Sequence, residues 1–177
     1  VVTDANGCIT FESVTVSEPM AMTSTTMATD ITCNGAADGT AMTTVMGGTG
    51  TPTYTWSNAD TTASLTGLVA GTYDVTATDA NGCMTTGSVT VAEPMAITAT
   101  AATDSDVTCN GAANGAATVT ATGGTGMLTY MWSNGSTMMT ASNLSGGAYD
   151  VTVTDANGCM MMSNATIAEP NALTLTL

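Results

Sequence analysis

The side chains able to do chemistry in this 177-residue chain are few: five Cys, ten Asp and four Glu, with no His, Lys or Arg. Without His, neither a Ser–His nor a Cys–His nucleophile can be assembled. Without Lys, a lysine-assisted one is excluded as well. Paired carboxylates remain, as in Asp104-Ser105-Asp106, and in a loop these read as solvated charges. Asp79-Ala80-Asn81-Gly82 places oxygens at alternate positions with a Gly for the bend, like the first half of a calcium loop, but the distal bidentate Glu is missing. A hairpin turn explains the same four residues fully through Asn81-Gly82 and is the preferred reading, with calcium as the alternative. A weak second calcium candidate sets Glu93 against Asp104 and Asp106 across a domain junction. Ca²⁺ is thus the one cofactor that the residues suggest, and no catalytic or cofactor-binding residue is assigned. Gly47-Gly48-Thr49-Gly50 and Gly123-Gly124-Thr125-Gly126 precede strand-like sequence rather than a helix, so they are turns and not phosphate cradles.

These residues sit in a repeat. Cys33-Asn34-Gly35-Ala36-Ala37 returns at 109–113, Tyr54-Thr55-Trp56-Ser57-Asn58 returns as Tyr130-Met131-Trp132-Ser133-Asn134, and Asp79-Ala80-Asn81-Gly82-Cys83 returns at 155–159, all displaced by 76 without a gap. Between 33–94 and 109–170, 35 of 62 positions are identical, which is duplication rather than chance. Asp4-Ala5-Asn6-Gly7-Cys8 and Glu18-Pro19 match only the end of a copy. The expected organisation is therefore residues 1–19 as closing strands of a preceding repeat, full repeats at 20–94 and 95–170, and residues 171–177 beginning another. The chain reads as a window on a longer array.

Forty Thr, with Val and Ile beside them, favour strands over helices. Tyr73, Val75 and Ala77 alternate with Asp74, Thr76 and Thr78, and Tyr54 shares a face with Trp56, the period of a half-buried strand. Asn-Gly pairs predict type I′ hairpin turns. The strands expected in the first copy are A at 21–32, B at 39–46, C at 52–57, a short C′ at 60–62, E at 63–67, F at 72–79 and G at 84–92. Seven strands in about 75 residues give an all-β fold of tandem immunoglobulin-like β-sandwich repeats arranged end to end. Leu68 to Tyr73 has the form of an E–F corner in which the Tyr hydroxyl bonds back to the chain. On this pattern Trp56 and Trp132 are core residues rather than sugar-stacking platforms.

Cys33 and Cys83 are 50 residues apart, as are Cys109 and Cys159. Small secreted domains use disulfides to reinforce a thin core. The simplest expectation pairs 33 with 83 and 109 with 159 and leaves Cys8 for a partner outside the chain. The strand order opposes it. Cys33 falls at the A–B turn and Cys83 at the F–G turn, which lie at opposite ends of a sandwich roughly 26 Å long, whereas a disulfide needs Cα atoms within about 7 Å. The alternative pairs Cys33 with Cys159 across the junction.

Net charge is −14 with no basic residue, which argues against nucleic acid and anionic membranes as partners. No apolar run is long enough to span a membrane. Gln is also absent while Met occurs 14 times, including Met160-Met161-Met162 and Met131 between Tyr130 and Trp132. This is the pattern of a chain in which long, unbranched polar side chains are written as Met, as when residues are assigned from density. On that reading Met127, Met131, Met138, Met139 and Met160 to Met162 face solvent and the charge is an overstatement; the alternative is a genuinely Met-rich secreted chain without basic residues.

The Gly-Gly turn, Tyr-x-Trp-Ser-Asn, Leu-x-x-Gly-x-Tyr-Asp-Val-Thr, Thr-Asp-Ala-Asn-Gly-Cys and Glu-Pro together resemble the SprB repeat of very large Bacteroidetes surface proteins, including a gliding-motility adhesin. The resemblance implies an exported cell-surface or extracellular array serving adhesion, gliding or filament structure, with no catalytic residues to carry over. The resulting expectation is a structural adhesin repeat giving length and mechanical strength. Its partners would be neighbouring repeats or other copies in a filament. The alternative is a glycan- or protein-binding module, with or without calcium.

Overall fold

The computed structural model describes residues 1–176 and is all-β, with no helix among them. A hairpin of β1 (Val2–Thr3) and β2 (Ile9–Thr10) comes first, fully exposed. The first full copy then contributes β3 (Thr23–Thr29), β4 (Gly39–Met46), β5 (Thr53–Trp56), β6 (Ser64–Leu68), β7 (Gly71–Thr78) and β8 (Met84–Val91). The second contributes β9 (Thr98–Ser105), β10 (Gly115–Thr122), β11 (Thr129–Trp132), β12 (Thr140–Leu144), β13 (Gly147–Thr154) and β14 (Met160–Ile167). Each copy forms two three-stranded antiparallel sheets, β3-β4-β6 with β5-β7-β8, and β9-β10-β12 with β11-β13-β14. In strand letters these are A-B-E and C-F-G, the immunoglobulin-like arrangement.

Alternation places the core as the sequence implies. Tyr73, Val75 and Ala77 of β7 are buried, and Tyr73 and Val75 pack in one cluster with Ala41, Trp56, Leu65, Leu68 and Val91. Val151 and Val153 repeat this around Trp132. Leu65 and Leu68 both point inward although they are three residues apart. A bulge in the β4–β6 register, with Gly67 at φ +69°, resets the alternation between them, and Asn143 at φ +56° does the same in β12. The Trp indoles donate to the carbonyls of Thr62 (2.8 Å) and Met138 (3.0 Å). The corner tyrosines donate to Val69 (3.0 Å) and Ser145 (3.1 Å). Where A and G strands meet there is no backbone ladder. Hydroxyls close the seam instead, with Ser24 and Thr26 donating to the carbonyls of Thr86 and Ser88.

Two local expectations fail. C′ does not form. Asp60 Oδ1 accepts the Thr62 N–H and hydroxyl, Asn58 Oδ1 accepts the Asp60 N–H, and the Thr62 carbonyl accepts the Trp56 indole N–H, so 58–62 is a chain of turns closed by side chains and pairs with no strand. Each copy therefore has six strands rather than seven. The Asn-Gly turns are also not type I′, because in none does the Asn have positive φ; in the F–G turn only Gly82 does (+85°). The Gly82 N–H bonds to the Asp79 carbonyl and the Asp79 N–H to the Cys83 carbonyl. This is a three-residue loop with Gly in the left-handed position.

All seven diagnostic Met side chains are exposed, from 40% at Met161 to 81% at Met127. That is the placement expected of polar side chains.

Candidate functional site

The residues that converge lie where one repeat meets the next. They are built from an ordered turn on each side. On the upstream side, the A–B turn grips the end of its own G strand. The Gly35 N–H donates to Glu93 Oε2 (3.0 Å), and Asn34 Nδ2 donates to the Pro94 carbonyl (3.0 Å). Asp30 Oδ1 accepts the Ala92 N–H (2.8 Å), and the Ile31 N–H donates to the Ala92 carbonyl. The Asn-Gly and Glu-Pro motifs are thus two halves of one clamp, which fixes the direction in which Pro94 leaves the repeat.

On the downstream side, Asp155 organises the F–G turn. Its Oδ1 accepts the N–H groups of Asn157 and Cys159 (both 2.9 Å), and its Oδ2 accepts the Thr125 N–H (2.8 Å) from the Gly-Gly-Thr-Gly turn. Asp79 makes the same bonds to Asn81, Cys83 and Thr49. These backbone donors, the one from Thr49 or Thr125 foremost, hold both carboxyls below the usual Asp range against the opposing effect of burial. Gly123 allows the close approach of the incoming chain, since a Cβ there would strike the Ala96 backbone. The Gly124 N–H then donates to the Met95 carbonyl (2.9 Å).

The two sides meet at the Thr32–Cys33 step. Cys33 is joined to Cys159 by a disulfide with Cα atoms 5.7 Å apart, and Asn157 Nδ2 donates to the Thr32 carbonyl (3.0 Å). This corrects the in-domain pairing: Cys83, Cys109 and Cys8 carry free, exposed thiols. The A–B and F–G turns of one copy are separated by the length of β7, so proximity exists only between copies. A groove of about 220 Å³ beside the disulfide is lined by Asn34, Pro94 to Ile97 and Met160.

The calcium candidates are not brought together. Glu93 is used at Gly35, at the start of the junction. Asp104 Oδ2 accepts the Thr118 hydroxyl and Asp106 Oδ1 the Ala168 N–H, at the far end of β9, roughly 23 Å further along for an eight-residue strand. Among the described residues no group of three or more acidic, Cys or His side chains is placed to hold a metal. Asp79 spends both carboxylate oxygens on backbone N–H groups, Oδ1 within its own turn and Oδ2 at Thr49 of the Gly-Gly-Thr-Gly turn. Trp56 and Trp132 are buried and offer no face to a sugar. Sequence reasoning missed the Thr32 carbonyl and the Asn157 side chain. Their signal was the joint recurrence of Cys-Asn-Gly and Asp-Ala-Asn-Gly-Cys at one period.

Paired A-B-E and C-F-G sheets, joined end to end through opposite turns, define a tandem immunoglobulin-like β-sandwich. The model of the SprB repeat family matches the chain twice, at residues 25–61 and 101–137, equivalent stretches spanning strands A to C of each copy. Over these two stretches the family model agrees with the resemblance read from the motifs. No curated protein is similar to the chain. Similar solved structures include the N-terminal eight Ig domains of the Down syndrome cell adhesion molecule (14% identity, 81% of this chain and 20% of that one, TM-score 0.33). Another is a C-terminal 282-residue intimin fragment in complex with the intimin-binding domain of its translocated receptor (18%, 88% and 65%, TM-score 0.36). A third is a tetra-tandem repeat from the extending region of a large adhesion protein (18%, 84% and 50%, TM-score 0.28). The chain spans less than two thirds of each of these.

Proposed function

We propose that the chain is a segment of an extracellular array, a non-catalytic structural part of a surface adhesin or filament, in which repeats bounded at 20–94 and 95–170 supply reach and carry tension. The hairpin at 2–10 is then the F–G turn of a repeat before it. The observation that carries this reading is the Cys33–Cys159 staple between successive copies, backed by the Asn157–Thr32 hydrogen bond. A module built for one ligand has no need to lock its neighbour. A load-bearing one does, because a thin sandwich core gives way before a covalent bond. The staple closes 126 residues while the repeat period is 76, so staples recurring at every junction would overlap. Tension would then pass from one to the next around the folded sandwiches. The SprB match supports the surface setting, and the oxidised pair suits an extracellular compartment.

The test is mass spectrometry of the native material digested with pepsin without reduction. A linked peptide pair containing Cys33 and Cys159 is expected. A 33–83 pair would remove the staple and the load-bearing argument with it. The same spectra read the residues at the exposed Met positions.

A further inference from the structure

The groove at the junction between the two copies opens on the staple. Cys33, Cys159 and Asp155 all line it, and among the described lining residues Asp155 is the one that carries a charge. Asp155 is only 6% exposed. It is held by the N–H groups of Thr125, Asn157 and Cys159, dipoles that leave its charge in place. Its Oδ1 lies 2.9 Å from the Cys159 nitrogen, and that nitrogen is roughly 3 Å from its own Sγ by bond geometry. The carboxylate is therefore within about 6 Å of the disulfide. The same pairing of an Asp with the Cys four residues on recurs, with Asp4 Oδ1 accepting the Cys8 N–H (2.8 Å) and Asp79 Oδ1 the Cys83 N–H (2.8 Å). In the Asp79 turn the sulfur itself reaches the carboxylate, since a hydrogen bond from the Cys83 side chain helps to hold that acid below the usual range.

A disulfide is opened by a thiolate that attacks one sulfur and expels the other. Here both directions place negative charge beside Asp155. If Cys159 is struck, the incoming thiolate approaches the carboxylate. If Cys33 is struck, Cys159 departs as a thiolate in the same place. Closing a turn does not itself require that charge, because the neutral Asn134 Oδ1 accepts the Ser136 N–H in the same manner.

We propose that Asp155 guards the staple, making the groove a charge-selective gate to the Cys33–Cys159 bond. A small cationic thiol is admitted and a small anionic one is repelled, so the lock between repeats responds to the kind of thiol present as well as to its amount. The inference rests on the staple reading above. Opening consumes two thiols. The first, as thiolate, bonds to one cysteine sulfur while the Cys33–Cys159 bond breaks, and the expelled cysteine takes up a proton. The second thiolate attacks the reductant's sulfur in the mixed disulfide, and the remaining cysteine leaves and is protonated. The protein disulfide gains two electrons, and the two reductant thiols become one disulfide.

The experiment uses the full chain with Cys8, Cys83 and Cys109 changed to Ser, so that no other thiol exchanges with the staple. Its opening by cysteamine and by 2-mercaptoethanesulfonate, two-carbon thiols of opposite charge, is followed at low salt. The readout is the ratio of the two rates in the parent and in Asp155→Asn, in which intrinsic differences between the thiols cancel. A unit charge about 8 Å from another changes a rate about 2.4-fold even at the dielectric constant of water. The cationic-to-anionic ratio should therefore fall roughly sixfold in Asp155→Asn, and the difference should shrink at high salt. Asp150→Asn removes one exposed charge roughly 17 Å back along β13 and should keep the parent's ratio. A turn that had merely loosened would open faster to both thiols and leave the ratio alone. An unchanged ratio in a folded Asp155→Asn chain overturns the guard, as does an equal fall in Asp150→Asn. Should Asp155→Asn not fold, the parent is compared with the peptic peptide pair that holds the same disulfide, where Asp155 is no longer fixed. A lower ratio in the peptides supports the guard, and an equal one overturns it. Absence of the Cys33–Cys159 bond from the starting chain would overturn the staple reading, and the guard with it.

Discussion

Pulling the chain by its two ends should load only part of it. Residues 34–158 lie inside the loop closed by Cys33–Cys159, so the shortest covalent path bypasses them. The perturbation is reduction, or Cys159→Ser, in a background with Cys8, Cys83 and Cys109 changed to Ser to prevent exchange. At about 3.4 Å per extended residue, a separation of 126 residues corresponds to about 430 Å of chain, against 5.7 Å between the bonded Cα atoms. Single-molecule force extension of the end-tethered chain should therefore show the oxidised form shorter at full extension by about 420 Å. Only β3 and β14 should peel away from it, since the other strands of the two copies lie inside the loop. Heating should report the same constraint. Closing a loop of this length removes about 5 kcal/mol of freedom from the unfolded chain, so reduction should lower the unfolding midpoint. Equal contour lengths with and without reductant would refute the bypass, and with it the view that tension runs around the sandwiches.

Other consequences follow from comparing the two copies. Thr43 is buried with no partner for its hydroxyl, where the second copy has the fully buried Val119; Thr43→Val should stabilise the first repeat by about 1 kcal/mol or more in denaturant titration. Ala59 adopts φ +68° where the second copy uses Gly135, so Ala59→Gly should raise stability by about 1 kcal/mol, the left-handed strain exceeding the entropy that Gly costs; an unchanged midpoint would contradict the strain. Asp79 and Asp155 have folded pKa values below the ordinary 3.8. Their contribution should be complete above about pH 5 and lost as the pH falls through the folded pKa; a double Asp79→Asn, Asp155→Asn variant should show a shallower acid dependence of its thermal midpoint than the parent chain.

Much of the fold is legible in the residues because it is written locally. Alternation in Tyr73–Thr78 sets the inward face, a single Trp per copy finds the core, and the 76-residue period counts the repeats. The bulge at Gly67 and the missing C′ strand were not legible. They depend on how Leu68 reaches the core and on where the Trp56 indole finds its acceptor. The Asp-Ala-Asn-Gly motif was read as a turn with a calcium alternative, and only the folded chain shows the carboxylate reaching 30 residues back to Thr49.

The cysteine pairing marks the limit most clearly. The sequence by itself determined that Cys33 and Cys83 recur 76 residues on as Cys109 and Cys159, which leaves Cys33 one candidate partner 50 residues away and another 126 residues away. Tertiary structure decided between them. A disulfide forms where two Cα atoms approach within a few ångströms. The strand that separates the A–B and F–G turns of the second sandwich, β13, is the same strand that carries its F–G turn back to the A–B turn of the preceding repeat.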